Sequence, residues 1–138
     1  MPNPFFINSG PFDITEILKL LKINLRINKS HNIIDITDLT NAKKDCITFF
    51  HSKKYNEAVK NTEASYCITT QNLKDYLPKN CTAIIVENVL ISTSIVTQKF
   101  YPSAIEDEFD DTAVDISSTH FKDIVSYGKN VLVGSNVK

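Results

Sequence analysis

The sequence predicts an α/β fold: a small N-terminal α/β domain built on a mixed sheet, followed by the start of a parallel β-helix. Three observations carry this. Between residues 33 and 100, β-branched and aromatic runs alternate with stretches of helical periodicity, as in parallel strands joined by crossover helices. A block of carboxylates, Glu106 to Asp111, interrupts that alternation. Beyond it, Phe121, Tyr127 and Val133 recur every six residues.

The elements follow in order. Asp13 is an N-cap candidate with Glu16 three residues on, and Ile14, Ile17, Leu18, Leu21 and Leu25 recur at helical spacing, so residues 13–26 read as an amphipathic helix. Its other face carries Lys19, Lys22 and Arg26. The preceding Phe5-Phe6-Ile7 reads as a segment packed on that helix, with membrane contact as the alternative. Ile33, Ile34 and Ile36 suggest a short strand, and the polar run from Thr37 to Asp45 a connection. Cys46-Ile47-Thr48-Phe49-Phe50 is a strand by its β-branched and aromatic content. Ser52 can cap a helix to about Lys60, with Tyr55, Ala58 and Val59 turned inward. Ser65 to Thr69 is the next strand, Gln71 to Leu77 a short helix stopped by Pro78, and Thr82 to Val86 a buried strand. Val89 to Phe100 is a second long helix, ended near Pro102.

Composition bounds the function. The chain has 138 residues, 42% apolar and 22% charged, which fits a folded domain with a sizeable core. Fifteen basic against sixteen acidic residues leave a net charge of −1, without the basic excess of a nucleic-acid-binding protein. Cys46, Cys67 and Cys81 form no CxxC pair and read as small buried hydrophobes, which points to a reducing, cytoplasmic setting. Met1 to Pro11 has neither the basic nor the apolar region of a secretory signal, and no apolar run approaches the ~18 residues of a membrane span. The acidic block lacks the alternating ligands and turn glycine of a hard-cation loop, so residues 104–120 read as a solvated acidic linker with no metal.

In the tail, Gly128 and Gly134 each follow the apolar position, Asn130 and Asn136 come two further on, and Val131 and Val137 come next. Such hexads suit a parallel β-helix, where the apolar residue and the valine stack inward and Gly and Asn supply corner conformations. A β-hairpin is the alternative, although neither pair is the adjacent Asn-Gly that hairpins favour. Residues 121–138 make one coil, too little to bury its own face, so this chain is expected to be the front of a longer protein.

An α/β unit of residues 1–103 ahead of hexapeptide repeats, together with Ile47-Thr48-Phe49-Phe50-His51-Ser52-Lys53-Lys54-Tyr55, resembles the UDP-3-O-(3-hydroxyacyl)glucosamine N-acyltransferases of lipid A synthesis. That family typically reads Ile-(Thr/Ser)-Phe-x-x-Asn-Pro-Lys-Tyr here. Further likeness lies in Ala64 to Thr69, Val86-Glu87-Asn88 and Phe100-Tyr101-Pro102, while Ser52, Lys53 and Val89 depart from the usual Asn, Pro and Pro. The resemblance implies a left-handed β-helix, a cytoplasmic homotrimer, no cofactor, and transfer of a 3-hydroxyacyl chain from acyl carrier protein to the 2-amine of UDP-3-O-acyl-glucosamine. It implies that the N-terminal unit binds uridine, with Phe49 and Tyr55 sandwiching the base, Ser52 at the position that meets its edge, and Lys54 near the diphosphate. A hydroxyl cannot present the paired donor and acceptor of an amide. Without the resemblance, Phe49 and Tyr55 read as core aromatics.

Attack of an amine on a thioester needs a base and oxyanion donors. None of the three histidines, His31, His51 and His120, sits in a matching motif; all read as surface or loop residues, and the chain is expected to bind rather than catalyse. The competing reading is a non-catalytic α/β cap on a hexapeptide-repeat oligomerisation scaffold.

Overall fold

Four short runs rich in β-branched residues pair side by side in the computed structural model, which describes residues 5–104, 113–124, 126, 128, 129 and 131–133. β3 (Asp35–Ile36), β4 (Cys46–Phe49), β5 (Tyr66–Thr69) and β6 (Thr82–Ile85) form one sheet in that order. Every pair is parallel: Ile36 lies opposite Ile47, Ile47 opposite Tyr66, and Tyr66 opposite Thr82. This sheet belongs to the first of two compact units, Met1–Glu106 and Asp107–Lys138.

Alternation along the strands sends side chains to two cores. Ile47, Tyr66, Ile68 and Ile84 meet α1 (Ile14–Leu20) and α3 (Val89–Phe100) through Ile14, Ile17, Val96 and Phe100. Cys46, Phe50 and Cys67 meet Leu39, Ala42, Val59 and Leu73 on the opposite face. Those last four all come from the connections between successive strands, with Val59 on α2 (Asn56–Lys60). Phe100 and Phe50 are fully buried, one in each core, and truncating either to alanine should cost about 3–5 kcal/mol.

The sheet is parallel throughout rather than mixed. Antiparallel pairing sits in a separate ribbon, where β1 (Phe12–Asp13) pairs with β2 (Asn32–Ile33). The expected single strand through Ile33 and Ile36 is divided because Ile34 turns half outward and its amide bonds to Asp45 O at 2.8 Å, leaving β2 and β3 in different sheets.

α1 starts as expected. The Asp13 carboxylate accepts from the Thr15 amide at 2.8 Å, from the Thr15 hydroxyl at 2.6 Å and from the Ser30 hydroxyl. Glu16 pairs with Lys99 of α3 at 3.5 Å. The helix stops at Leu20 rather than near residue 26 because Lys22 takes φ 58°. The Ile23 amide then reaches Leu18 O at 2.9 Å and the Lys22 amide reaches Lys19 O at 3.1 Å, a Schellman closure. Past it, Ile23, Leu25 and Ile27 pack on the core at every second position, not at helical spacing.

α3 matches its predicted span, with the Asn88 side chain accepting from the Ile91 amide at 3.0 Å. Residues 71–77 form only a 3-10 turn at Lys74–Tyr76. The N-terminal strap bonds along α3 through Ser9 N–H to Phe100 O at 2.7 Å, and Gly10 lies so close that a Cβ there would stand 2.9 Å from Phe100 Cε1. Phe5 and Ile7 are 85% and 81% exposed, so they are not buried on α1 as expected. All three cysteines are buried and unpaired, and hydrogen bonding with Cys81, together with burial, raises the Cys67 thiol pKa and keeps it protonated.

In the second unit, β7 (Val114–Asp115) pairs antiparallel with β8 (Leu132–Val133). Two 3-10 turns, Ile116–Ser118 and His120–Asp123, follow β7 and are capped by Asp115 and Thr119. Phe121, expected to head the first hexad, therefore lies in a turn, and Gly128 does not take positive φ. The acidic residues 106–111 and the repeat positions Tyr127, Asn130, Gly134, Asn136 and Val137 lie outside the described residues. Among those that are described, no β-helix coil is seen.

Candidate functional site

β4 delivers the candidate residues. Its last residue is Phe49, and Phe50 is pinned to the neighbouring strand by its amide to Ile68 O at 2.9 Å and by the Thr69 hydroxyl donating to its carbonyl at 2.9 Å. The chain leaves the sheet at His51. Ser52 is extended and caps a 3-10 turn, Lys53–Tyr55, by accepting from the Lys54 amide at 3.3 Å; α2 follows. The change of helix type rotates Tyr55 away from the face of Val59. Tyr55 is therefore 41% exposed rather than turned inward, while Val59 is fully buried and Ala58 half-buried.

Beside this turn lies a cleft of about 280 Å³. One wall is Phe49, His51, Tyr55 and Ala58; the other is Asp38, Leu39 and Thr40, from the connection between β3 and β4. Phe49 is half-buried and also packs on the α1/α3 core. The rings of His51 and Tyr55 are 5.4 Å apart at 46°. Both oxygens of Asp38 are engaged by Asn41, by its amide at 2.7 Å and its Nδ2 at 3.0 Å, which fixes the loop that forms the second wall. Leu39 and Ala42 anchor that loop in the core.

Of the four residues singled out in the sequence, Phe49 and Tyr55 thus line one cleft. Ser52 and Lys54 are not in its lining: the Ser52 hydroxyl is engaged in capping, and Lys54 Nζ stands outside, 5.9 Å from the Tyr55 ring centre. His51, Thr40, Leu39 and Asp38 were missed. His51 could have been found from its place inside the matched motif, and Leu39 as the lone large aliphatic of a polar run.

A larger hollow of about 630 Å³ shares Thr40 with this cleft, but its charged groups are engaged elsewhere. There, Asp35 accepts from the Ile36 amide at 2.8 Å and the Tyr101 hydroxyl at 2.6 Å, and Lys43 pairs with Glu63 at 3.3 Å. Of the remaining histidines, His31 is not among the lining residues and His120 belongs to the second unit. His31 Nε2 is 2.6 Å from Asp45 Oδ1, and His120 lies against Phe121. Among the described residues no three His, Cys, Asp or Glu side chains gather as a metal site. What the cleft offers is the rings of Phe49 and Tyr55 and a few polar edges, an arrangement able to hold a flat ring.

A protein-family model described as UDP-3-O-(3-hydroxymyristoyl) glucosamine N-acyltransferase, LpxD, matches residues 30–99, a span that includes every residue of the cleft. Among curated proteins the chain is 32% identical over 100 residues to UDP-3-O-acylglucosamine N-acyltransferase of Rickettsia prowazekii, covering 70% of this chain and 29% of that protein. It is 26% identical over 113 residues to UDP-3-O-acylglucosamine N-acyltransferase 2 of Legionella pneumophila strain Paris, covering 80% and 33%. With UDP-3-O-acylglucosamine N-acyltransferase of Acinetobacter baylyi it shares 25% identity over 129 residues, covering 94% of this chain and 36% of that protein. The chain spans about a third of the length of these relatives.

Proposed function

The chain belongs to the UDP-3-O-acylglucosamine N-acyltransferase family, and on that premise we propose that it is the nucleotide-recognition part of an N-acyltransferase of lipid A synthesis. Phe49 and Tyr55 grip the uracil of UDP-3-O-acyl-glucosamine in the cleft between the β3–β4 connection and α2. The sugar and its acyl chain extend outside it, since a cleft of about 280 Å³ suits a base and part of its ribose. Lys54, exposed beside Tyr55, is the cation available to the diphosphate.

In the whole enzyme the 2-amine attacks the thioester carbonyl of 3-hydroxyacyl carrier protein. The C–N bond forms, the C–S bond breaks, and the amine proton passes to a base. None of His31, His51 and His120 is assigned that role. The hexads after residue 121 begin the left-handed β-helix through which a cytoplasmic homotrimer assembles, a reading supported by their six-residue recurrence. Among the described residues, no helix is long and apolar enough to cross a membrane.

The observation that carries the proposal is that two aromatic residues, one ending β4 and one in the following turn, line the same open cleft instead of being sealed in the core. Base stacking on an aromatic side chain is worth about 1–3 kcal/mol. UDP should therefore bind the chain, and Tyr55→Ala should weaken it about tenfold or more in isothermal titration, with Phe49→Ala alongside. Identical heats for wild type and both variants would contradict the proposal. Folded protein with no affinity for UDP would favour the non-catalytic cap on a repeat scaffold.

A further inference from the structure

Resting on the reading of the cleft as a uracil site, we propose that His51, seconded by Thr40, reads the edge of the base in place of Ser52, and that the site consequently accepts uridine and cytidine diphosphates alike. Few polar side chains of the cleft can donate to the carbonyls of a base. The Ser52 hydroxyl caps the turn at Lys54 and is absent from the lining. The Asp38 oxygens each hold one bond from Asn41 and can only accept, so they have no hydrogen to give the carbonyls of a base. The Phe50 amide and carbonyl are bonded to β5. A stacked Tyr55 offers the base its face, not its hydroxyl. The side chains that remain able to donate are the His51 imidazole and the Thr40 hydroxyl. Both are exposed, both line the cleft, and neither side chain has a hydrogen-bond partner among the described residues. The His51 ring stands 5.4 Å from Tyr55, within reach of the edge of a base stacked there.

Both groups can exchange the role of donor for that of acceptor. A neutral imidazole has one nitrogen that donates and one that accepts, and either can face the ligand; a hydroxyl rotates to do both. Uracil presents carbonyl acceptors flanking an N–H donor. Cytosine presents an accepting ring nitrogen beside a donating amine. Groups that can reverse their roles satisfy either edge, whereas a fixed donor–acceptor pair leaves a partner unsatisfied with the wrong base and rejects it strongly.

The test is isothermal titration of the 138-residue chain with UDP and with CDP. Variants are His51→Ala, His51→Phe, His51→Gln, Thr40→Val and Tyr55→Ala, each shown folded by circular dichroism. The wild-type affinities for UDP and CDP should lie within about tenfold of each other. His51→Ala and His51→Phe should each weaken both nucleotides about fivefold, the loss of one neutral hydrogen bond, and Thr40→Val should weaken them less. The phenylalanine variant keeps a ring and removes the nitrogens, so a stacking role for His51 would spare it. His51→Gln, whose amide can donate or accept by turning over, should retain binding of both nucleotides. If Tyr55→Ala weakens UDP but the alanine and phenylalanine variants of His51 do not, or if the wild type rejects CDP by a hundredfold, this proposal falls and the uracil site stands. If UDP does not bind, or binds Tyr55→Ala unchanged, both fall.

Discussion

Replacing Tyr101 by phenylalanine removes one oxygen from a place where it cannot easily be spared. Tyr101 is 8% exposed, and its hydroxyl donates to Asp35 Oδ1 at 2.6 Å, tying the end of α3 to the edge strand β3 across 66 positions of chain. Burial, then the hydrogen bond to Asp35 and its charge, pushes the Tyr101 pKa up to about 12. A bond to a charged acceptor contributes about 1.5–3 kcal/mol, and among the described residues Asp35 would keep the Ile36 amide alone. Tyr101→Phe should therefore lower the unfolding free energy by about 1.5–3 kcal/mol at pH 7 in urea titrations. The pH series gives the sharper check. Because the folded-state pKa lies above that of the unfolded chain, this stabilisation is fully present below about pH 10 and is lost as pH rises toward 12. The gap between wild type and variant should stay constant from pH 7 to about 9.5 and then close. Equal stability at pH 7, or a gap that persists at high pH, would refute the reasoning.

Two further outcomes follow from the packing and the caps. Gly10→Ala should destabilise by about 1–3 kcal/mol in the same titration, because its Cβ would stand 2.9 and 3.1 Å from ring atoms of the fully buried Phe100; thermal melts that coincide with wild type would contradict it. Hydrogen bonds from the Ser30 and Thr15 hydroxyls hold the Asp13 carboxyl pKa down at about 2, so its contribution is present above about pH 4 and is lost as pH falls toward 2. Asp13→Asn should be less stable than wild type at neutral pH and converge with it across that acid window.

Where the sequence speaks through local chemistry, the fold was legible. The strands at β4, β5 and β6 declare themselves by β-branched runs between polar residues, and α3 by Asn88 ahead of it and Pro102 behind. The end of α1 was not legible. Leu25 satisfies the helical spacing and also the alternation of Ile23, Leu25 and Ile27, and the choice between them is made at Lys22, a residue type that does not advertise a left-handed conformation. In the site, Phe49 and Tyr55 were visible through the motif, but the outward turn of Tyr55 depends on a 3-10 start that a spacing argument treats as α-helix. Ser52 was read as a ligand group as well as a cap; in the structure its hydroxyl accepts from the Lys54 amide, outside the lining of the cleft. The second wall, Asp38 to Thr40, was beyond reach because its position comes from Leu39 finding the core, a tertiary event.

The strand order has a consequence for where any ligand can sit. Doubly wound sheets reverse direction once, and the gap between helices on opposite sides of that reversal is their habitual docking point. Here β3 to β6 advance one step at a time, and their links supply one core on a single side, so no such gap opens. The furrow between two neighbouring links is the seat that remains. Its width is governed by the length of the link before β4, so insertions or deletions there could retune what the protein accepts while the strands themselves stay as they are.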